Sequence, residues 1–377
     1  MKTHHSDGSI SRRRFLGQVS ATAALLMASR RGLALNPPPT RKLGIALVGL
    51  GRYSTYQLGP ALRETKHCRL AGVVTGSLEK GRKWARKYAF PEANVFGYDT
   101  MGNLEGNPDI DIVYVVTPNS LHARHCIAAA KTGKHVICEK PMATSVADCD
   151  AIIAACRAAG VRLTVGYRLH YEPHHAEFAR LARAKVFGPF MRMKGANGFD
   201  MDSSARARTD WRLDKELAGG GPLMDMGVYV VQAACMAKVE APPVAVTAKF
   251  GPVARPAVFS EVEESIEWTM EFGDGAVANC RTTYSEEVSS FRAEGDHGWA
   301  QLEDPAFYYE EPLLTTSRGR AVFPKVNHQV AQLDGMALEL IEGRPSIAPG
   351  EMGRRDIAIV EAIYAAAASH GRATVGA

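Results

Sequence analysis

The sequence predicts two domains: an α/β domain on a doubly wound parallel sheet, then an α+β domain with an open, mostly antiparallel sheet. Three observations carry this. Short, continuous apolar runs alternate with helical stretches from residue 43 to residue 166, as when parallel strands are buried on both faces. A glycine pair, Gly49-Leu50-Gly51, stands where the first run gives way to a helix. Later, Val262 to Phe272 alternates strictly, with Val262, Ile266, Trp268, Met270 and Phe272 on one face and Glu263, Ser265, Glu267, Thr269 and Glu271 on the other, the period of a strand with one face in a core.

The elements follow in order. Gly44-Ile45-Ala46-Leu47-Val48 is the first strand, Arg69 to Thr75 the second, Ile110 to Thr117 another and His135 to Cys138 another, with helices at Tyr56 to Thr65 and Leu121 to Lys131. A helix over Val146 to Ala159 and a strand over Val161 to Gly166 complete the first domain, residues 43–166. In the second, residues 167–377, Gly273-Asp274-Gly275 turns the alternating strand into Ala276 to Tyr284. Helices return at Gln329 to Glu342 and Gly353 to Ala368, free to pack back on the first domain. The polar face of the open sheet is either solvated or an interface between copies in a homodimer or homotetramer.

Residues 1–34 read as a twin-arginine leader. Ser11-Arg12-Arg13-Arg14-Phe15-Leu16-Gly17 precedes an apolar run from Val19 to Ala28 and a small-residue site at Gly32-Leu33-Ala34. This implies export of the folded chain by the Tat translocase to the periplasm; the competing reading is a basic N-terminus on a cytosolic enzyme. Residues 35–42 form an arm stiffened by Pro37-Pro38-Pro39. The formal charge of +5 belongs to the leader, because residues 1–34 hold six Lys or Arg and one Asp, leaving 39 charges of each sign. Nothing in that balance points to nucleic acid. The seven cysteines have no CxxC spacing and read as small buried hydrophobes, neither a disulfide framework nor a metal site. No stretch after the leader approaches the length of a membrane span.

Three motifs carry chemistry. Gly49 and Gly51 let the backbone turn tightly and approach a pyrophosphate at a helix N-terminus, though the third fingerprint position is Ser54 and a structural turn is the alternative. A site for NAD places an acid at the end of the second strand to grip the ribose 2′-hydroxyl; here the chain reads Thr75-Gly76-Ser77-Leu78-Glu79-Lys80-Gly81-Arg82. The hydroxyls of Thr75 and Ser77, with charge from Lys80 or Arg82, suit the 2′-phosphate of NADP. Lys80 and Arg82 as solvated helix residues, and Glu79 as a ribose ligand, are the competing readings.

Glu139-Lys140-Pro141 ends a parallel strand, where open α/β sheets bind ligands. A lysine there can donate to a substrate hydroxyl and, desolvated, have a lowered pKa; otherwise the pair lies in a surface turn. In Gly219-Gly220-Gly221-Pro222-Leu223-Met224-Asp225-Met226-Gly227-Val228-Tyr229, Pro222 suits a first helical position, putting Asp225 and Tyr229 four apart on one helix face. A Tyr beside a Lys can take the hydroxyl proton from a carbinol carbon while hydride leaves to nicotinamide. The alternative is a structural Tyr and a helix-start Asp.

Together these motifs resemble the glucose–fructose oxidoreductase, inositol dehydrogenase and rhizopine-catabolism family, and within it the glucose–fructose and aldose–aldose oxidoreductase-like members. The likeness runs from about Leu43 to the C-terminus, through Val48 to Tyr53, Pro118-Asn119-Ser120-Leu121-His122-Ala123, Glu139 to Cys149, Gly166-Tyr167-Arg168-Leu169-His170-Tyr171 and Trp211-Arg212-Leu213. It implies an N-terminal Rossmann domain and a C-terminal sheet that mediates oligomers. It also implies tightly bound NADP and ping-pong transfer that oxidises an aldose at C1 to a lactone and reduces fructose or another aldose to an alditol. By the same matching, Arg52, Tyr53, Thr75, Ser77, Lys80, Asn119, His122, Glu139, Arg168, Trp211 and Arg212 line the cofactor, and Lys140, Asp225 and Tyr229 face the sugar. In relatives an arm after the leader covers the adenosine; here that arm is short. Two other functions fit less of the pattern: a conventional aldose or polyol dehydrogenase with exchangeable NAD(P), and a non-catalytic nucleotide- or sugar-binding protein. Acceptor choice rests on loops such as Asn197 to Asp210, which have no readable code.

Overall fold

The computed structural model describes residues 41–201, 210–309 and 312–376. The leader, its cleavage site, the proline arm up to Thr40 and most of the Asn197–Asp210 loop lie outside the described residues. The arm's last residues are tied to the α/β layer: Arg41 makes two 2.8 Å bonds to the Asp111 carboxylate, and the Lys42 ammonium donates to the Thr65 carbonyl at 2.5 Å.

The first sheet has six parallel strands, β1 (Leu43–Val48), β2 (Cys68–Val74), β3 (Val95–Phe96), β4 (Ile112–Val115), β5 (His135–Cys138) and β6 (Leu163–Val165). Their order, β3-β2-β1-β4-β5-β6, reverses direction between β1 and β4, and a ligand crevice opens outside the carboxyl ends at such a switch point. The helices between them are α1 (Gly59–Glu64), α2 (Leu78–Tyr88), α3 (His122–Lys131) and α4 (Val146–Ala158). The expected doubly wound sheet is therefore present. Its two-residue β3 carries no periodicity and was invisible in the sequence. The helix expected from Tyr56 begins instead as a π-turn, Ser54–Leu58, before α1.

The second sheet has nine strands: β7 (Arg192–Gly198), β8 (Ala245–Phe250), β9 (Ser265–Glu271), β10 (Val277–Thr283), β11 (Val288–Gly295), β12 (Gly298–Glu303), β13 (Leu313–Thr316), β14 (Gly319–Ala321) and β15 (Arg372–Thr374). They lie in the order β14-β13-β12-β11-β7-β10-β9-β8-β15, antiparallel except where β7 meets β10. The remaining helices are α5 (Pro173–Arg183), α6 (Lys215–Ala218), α7 (Val228–Ala237), α8 (His328–Ile341) and α9 (Gly350–Ser369). Ile266, Trp268 and Met270 of β9 are buried, as the alternation requires. The strand starts three residues later than its pattern implied, because Glu263 and Glu264 turn to other partners: Glu263 accepts from the backbone of Gly221 and Leu223, and Glu264 from Ala254 and Arg255.

The chain's end returns to the first sheet. Leu333, Met336 and Ala337 of α8 share one buried cluster with Ile45, Leu47, Ile112 and Tyr114. From α9, Glu361 accepts from the Val146 N–H at the start of α4, and Arg354 donates to Asp150. No helix among the described residues is long and apolar enough to cross a membrane, and no three described His, Cys, Asp or Glu side chains gather as metal ligands would.

Candidate active site

The site is built where β5 ends. Glu139 is buried; its carboxylate accepts from the Tyr114 hydroxyl at 2.6 Å and from the Lys140 N–H at 2.8 Å, while Gln332 of α8 donates to Tyr114. Burial pushes the Glu139 carboxyl above its usual range, against the pull of Tyr114 and Lys140. The Lys140–Pro141 peptide is cis. His122, 1% exposed, bridges that turn to the end of β4: its Nδ1 lies 2.9 Å from the Pro141 carbonyl and its Nε2 2.8 Å from that of Thr117. Two acceptors for two ring nitrogens favour the imidazolium. Burial opposes that charge, yet contact with Cys138 and the two carbonyls raises the pKa to about 8.

The Lys140 ammonium reaches across to the glycine-rich block, donating to the Asp225 carbonyl at 2.7 Å and to its Oδ1 at 3.2 Å. Asp225 Oδ2 accepts from Arg212 Nε at 3.0 Å and from the Tyr284 hydroxyl at 3.2 Å. Burial would raise the Asp225 carboxyl, but Lys140 and Arg212 outweigh it and hold it at about 2. The sequence reading allowed a desolvated Lys140 a lowered pKa, and this is corrected. Burial does pull it down, but Tyr229, Asp225 and Glu139 prevail and the shift is upward. Lys140 is thus a fixed cation.

Asp225 and Tyr229 are not on one regular helix. Leu223–Gly227 is a π-turn, and Tyr229 lies in the first turn of α7. The wider π-turn lets Asp225 face Arg212 and Tyr284 while Lys140 sits 4.6 Å from the Tyr229 ring centroid. The Tyr229 hydroxyl makes no hydrogen bond to another described residue. The turn is set by Glu263, whose oxygens take the Gly221 and Leu223 N–H groups at 3.0 and 3.1 Å and the Tyr364 hydroxyl at 2.8 Å. A Cβ on Gly220 would lie 2.1 Å from that hydroxyl, so any larger residue would have to displace Tyr364 from Glu263.

The glycine loop lies at the other side of the switch point. Gly49 has φ +95°, and a Cβ there would come within 2.8 Å of the Val116 carbonyl; at Gly51 a Cβ would meet nothing within 4 Å, so bare backbone faces open space. That is a cradle fit for a pyrophosphate. Ser54 Oγ donates to the Gly49 carbonyl at 2.7 Å, and Lys80 Nζ to that of Leu50 at 2.5 Å. Ser77 caps α2 by accepting from the Lys80 N–H, and Thr75 Oγ1 accepts from the Ser77 N–H. Glu79, the alternative ribose ligand, pairs with Lys83 at 2.7 Å on the surface, and Arg82 is exposed. Arg52 lies over the exposed Tyr56 ring and Arg212 over Trp211.

Several of the residues matched to the cofactor bond to the protein, as Glu139, Arg212, Thr75, Ser77 and Lys80 do above, and three more are deep in it. Asn119 Nδ2 donates to the Ala218 carbonyl, His122 is clamped as above, and Arg168 is buried under two tyrosines. Arg168 donates to the carbonyls of Phe307 and Tyr308 and to His328 Nδ1. Tyr114, Glu263, Tyr284 and Tyr364 fall within predicted strands or helices, but nothing in their spacing marks them as part of the site. Tyr309 lies outside every predicted element.

Residues 43–167 match an oxidoreductase family with an NAD-binding Rossmann fold, and residues 175–301 match the GFO/IDH/MocA C-terminal domain. The chain is similar to aldose–aldose oxidoreductase from Caulobacter crescentus, solved with glycerol, at 40% identity and a TM-score of 0.83 over 89% of this chain and all of that one. It is 26% identical over 328 residues to D-xylose 1-dehydrogenase [NADP(+)] of Haloarcula marismortui, 85% of this chain and 90% of that protein. Levoglucosan dehydrogenase, solved with NADH and levoglucosan, shares the fold at 20% identity and a TM-score of 0.77, over 89% of this chain and all of that one.

Proposed function

The chain belongs to the GFO/IDH/MocA oxidoreductases, and from that premise we propose that it oxidises the C1 carbinol of an aldose to the lactone and reduces a second sugar, fructose or another aldose, to the alditol. One observation carries the reading: at the carboxyl end of β5 the Lys140 ammonium is held on Asp225 and lies 4.6 Å from the ring centroid of Tyr229, whose hydroxyl bonds to no other described residue. Gly49, Gly51 and Lys80 would hold a nicotinamide dinucleotide, which when bound would supply the hydride acceptor and donor. Tyr229 Oη takes the C1 hydroxyl proton during oxidation and returns it to the carbonyl oxygen of the second sugar. Lys140 stays charged and stabilises the oxyanion that develops on that oxygen. Asp225 does no proton transfer; held at about 2, it stays ionised and aims the Lys140 ammonium.

NADP is the preferred dinucleotide because no acid ends β2 and Lys80 stands beside the glycine loop. We further infer export in the folded state with the nucleotide retained, so that the second sugar regenerates it. The leader supports this, and so do the seven cysteines, all buried and free. A chain threaded unfolded into an oxidising compartment would expose every one of them. The polar outer face of the nine-stranded sheet supports pairing of copies into a homodimer or homotetramer.

The test is absorbance near 340 nm of protein purified without added nucleotide. A rise approaching one equivalent on adding glucose, reversed by fructose or a second aldose, is the expected result. Silence until free NADP or NAD is supplied, then continuous turnover, would replace this reading with an ordinary dehydrogenase.

A further inference from the structure

Tyr309, in the turn after β12, is 46% exposed, and its surroundings hold it in place. Arg168, 2% exposed, pins the backbone before it by donating to the Tyr308 carbonyl at 3.1 Å and to that of Phe307. The same guanidinium lies 4.6 Å from the Tyr309 ring centroid and 5.4 Å from that of Tyr229. One buried cation thus underlies both rings and sets Tyr309 beside the tyrosine assigned to proton transfer. Phe307 stacks on Tyr229 at 6.2 Å, which ties the turn to α7. From the opposite domain Tyr53, two residues past Gly51, stacks on Tyr309 with centroids 6.3 Å apart and planes 26° apart.

We propose that Tyr309, supported by Tyr53 and Arg168, is the wall on which the sugar ring lies, and that it favours cyclic aldoses over open-chain polyols. This rests on the sugar oxidoreductase reading above. The electron-rich face of an aromatic ring attracts weakly positive C–H groups. A pyranose presents several of these on one flat face, whereas an open-chain polyol has no such face to offer. Because Arg168 and Tyr53 fix the ring before substrate arrives, little ordering entropy is lost on binding. The charged side of the site, Lys140 with Asp225, remains for the C1 oxygen. Tyr309 therefore acts as a binding residue and takes no part in proton transfer.

The experiment compares wild type with Tyr309→Phe, Tyr309→Leu and Tyr309→Ala, in steady-state kinetics with glucose and xylose and in NADPH binding by fluorescence. Losing a stacking contact should raise KM for the aldose roughly 10- to 100-fold in the Leu and Ala variants, while kcat and NADPH affinity change by less than about threefold. Tyr309→Phe keeps the ring face and should stay close to wild type. An unchanged KM in Ala and Leu overturns the proposal, and so does a Phe variant as impaired as Ala, which would assign the role to the hydroxyl. Parallel loss of NADPH affinity also overturns it, placing Tyr309 against the nucleotide. If wild type binds NADPH but oxidises no aldose, the sugar reading itself fails, and this proposal with it.

Discussion

At the scale of single residues, the site is a short chain of charge in which each member fixes the next. The Tyr229 hydroxyl bonds to no other described residue, and Tyr229→Phe should lower kcat by roughly 10²- to 10⁴-fold, the range of general acid–base catalysis. NADPH affinity should not change; surviving activity would move the proton transfer elsewhere. Asp225 has the opposite character, being fully committed to Lys140, Arg212 and Tyr284. Removing one partner of such a buried pair costs about 3–5 kcal/mol, so Asp225→Asn should lower the denaturant midpoint at pH 7. Because the folded carboxyl is depressed to about 2, its stabilisation is complete above the unfolded pKa near 3.9 and lost as pH falls toward 2. The gap between variant and wild type should therefore hold from pH 7 to 5 and begin to close only below about pH 4. A gap that shrank already at pH 6 would mean that Asp225 titrates higher than its partners imply.

At the scale of elements, the glycine-rich turn shows why local pattern was a partial guide. The run Gly219 to Gly221 announced a helix start, but the π-turn that separates Asp225 from Tyr229 depends on Glu263 and Tyr364, which arrive from positions far along the chain. Gly220→Ala would force a methyl against the Tyr364 hydroxyl. A cost of about 1–3 kcal/mol from overpacking and a fall in kcat larger than the fall in NADPH affinity are the expected results. If kcat held while stability dropped, the turn would be structural only. The α8 start behaves similarly: His328 accepts from Arg168, which requires the neutral imidazole. Burial and Arg168 lower its pKa to about 4. The unfolded chain binds that proton first, so stability should decline as pH falls from about 6.5 toward 4. In His328→Asn that decline should flatten, and a parallel curve for the variant would place the pH dependence elsewhere.

At the scale of the whole molecule, the two sheets do not make independent halves. Leu333, Met336 and Ala337 of α8 complete the cluster beneath β1 and β4, so a fragment ending at residue 166 should leave that apolar surface bare. It should be aggregated or lack a cooperative thermal transition, and a soluble, cooperatively folded fragment would show that α8 is dispensable. The intact protein should show almost no thiol reactivity until denatured, then seven reactive groups, because all seven cysteines are free and buried.

The sequence by itself determined the parallel sheet, the glycine loop and the bare end of β2, and it offered Lys140, Asp225 and Tyr229 as candidates, because each of these depends on neighbours within one or two elements. Strand period, turn chemistry and strand-end position are local properties, and they survive without knowledge of the fold. Only the tertiary structure decided the protonation and geometry of those same residues. Lys140 is a firm cation because Asp225, 85 positions away, faces it. Tyr229 is placed by a π-turn that Glu263 caps, and Tyr309 reaches the site through Arg168 from a loop with no periodic signal. Electrostatic shifts and ring contacts fall off over a few ångströms of space, whatever the separation along the chain, and so no spacing in the sequence encodes them.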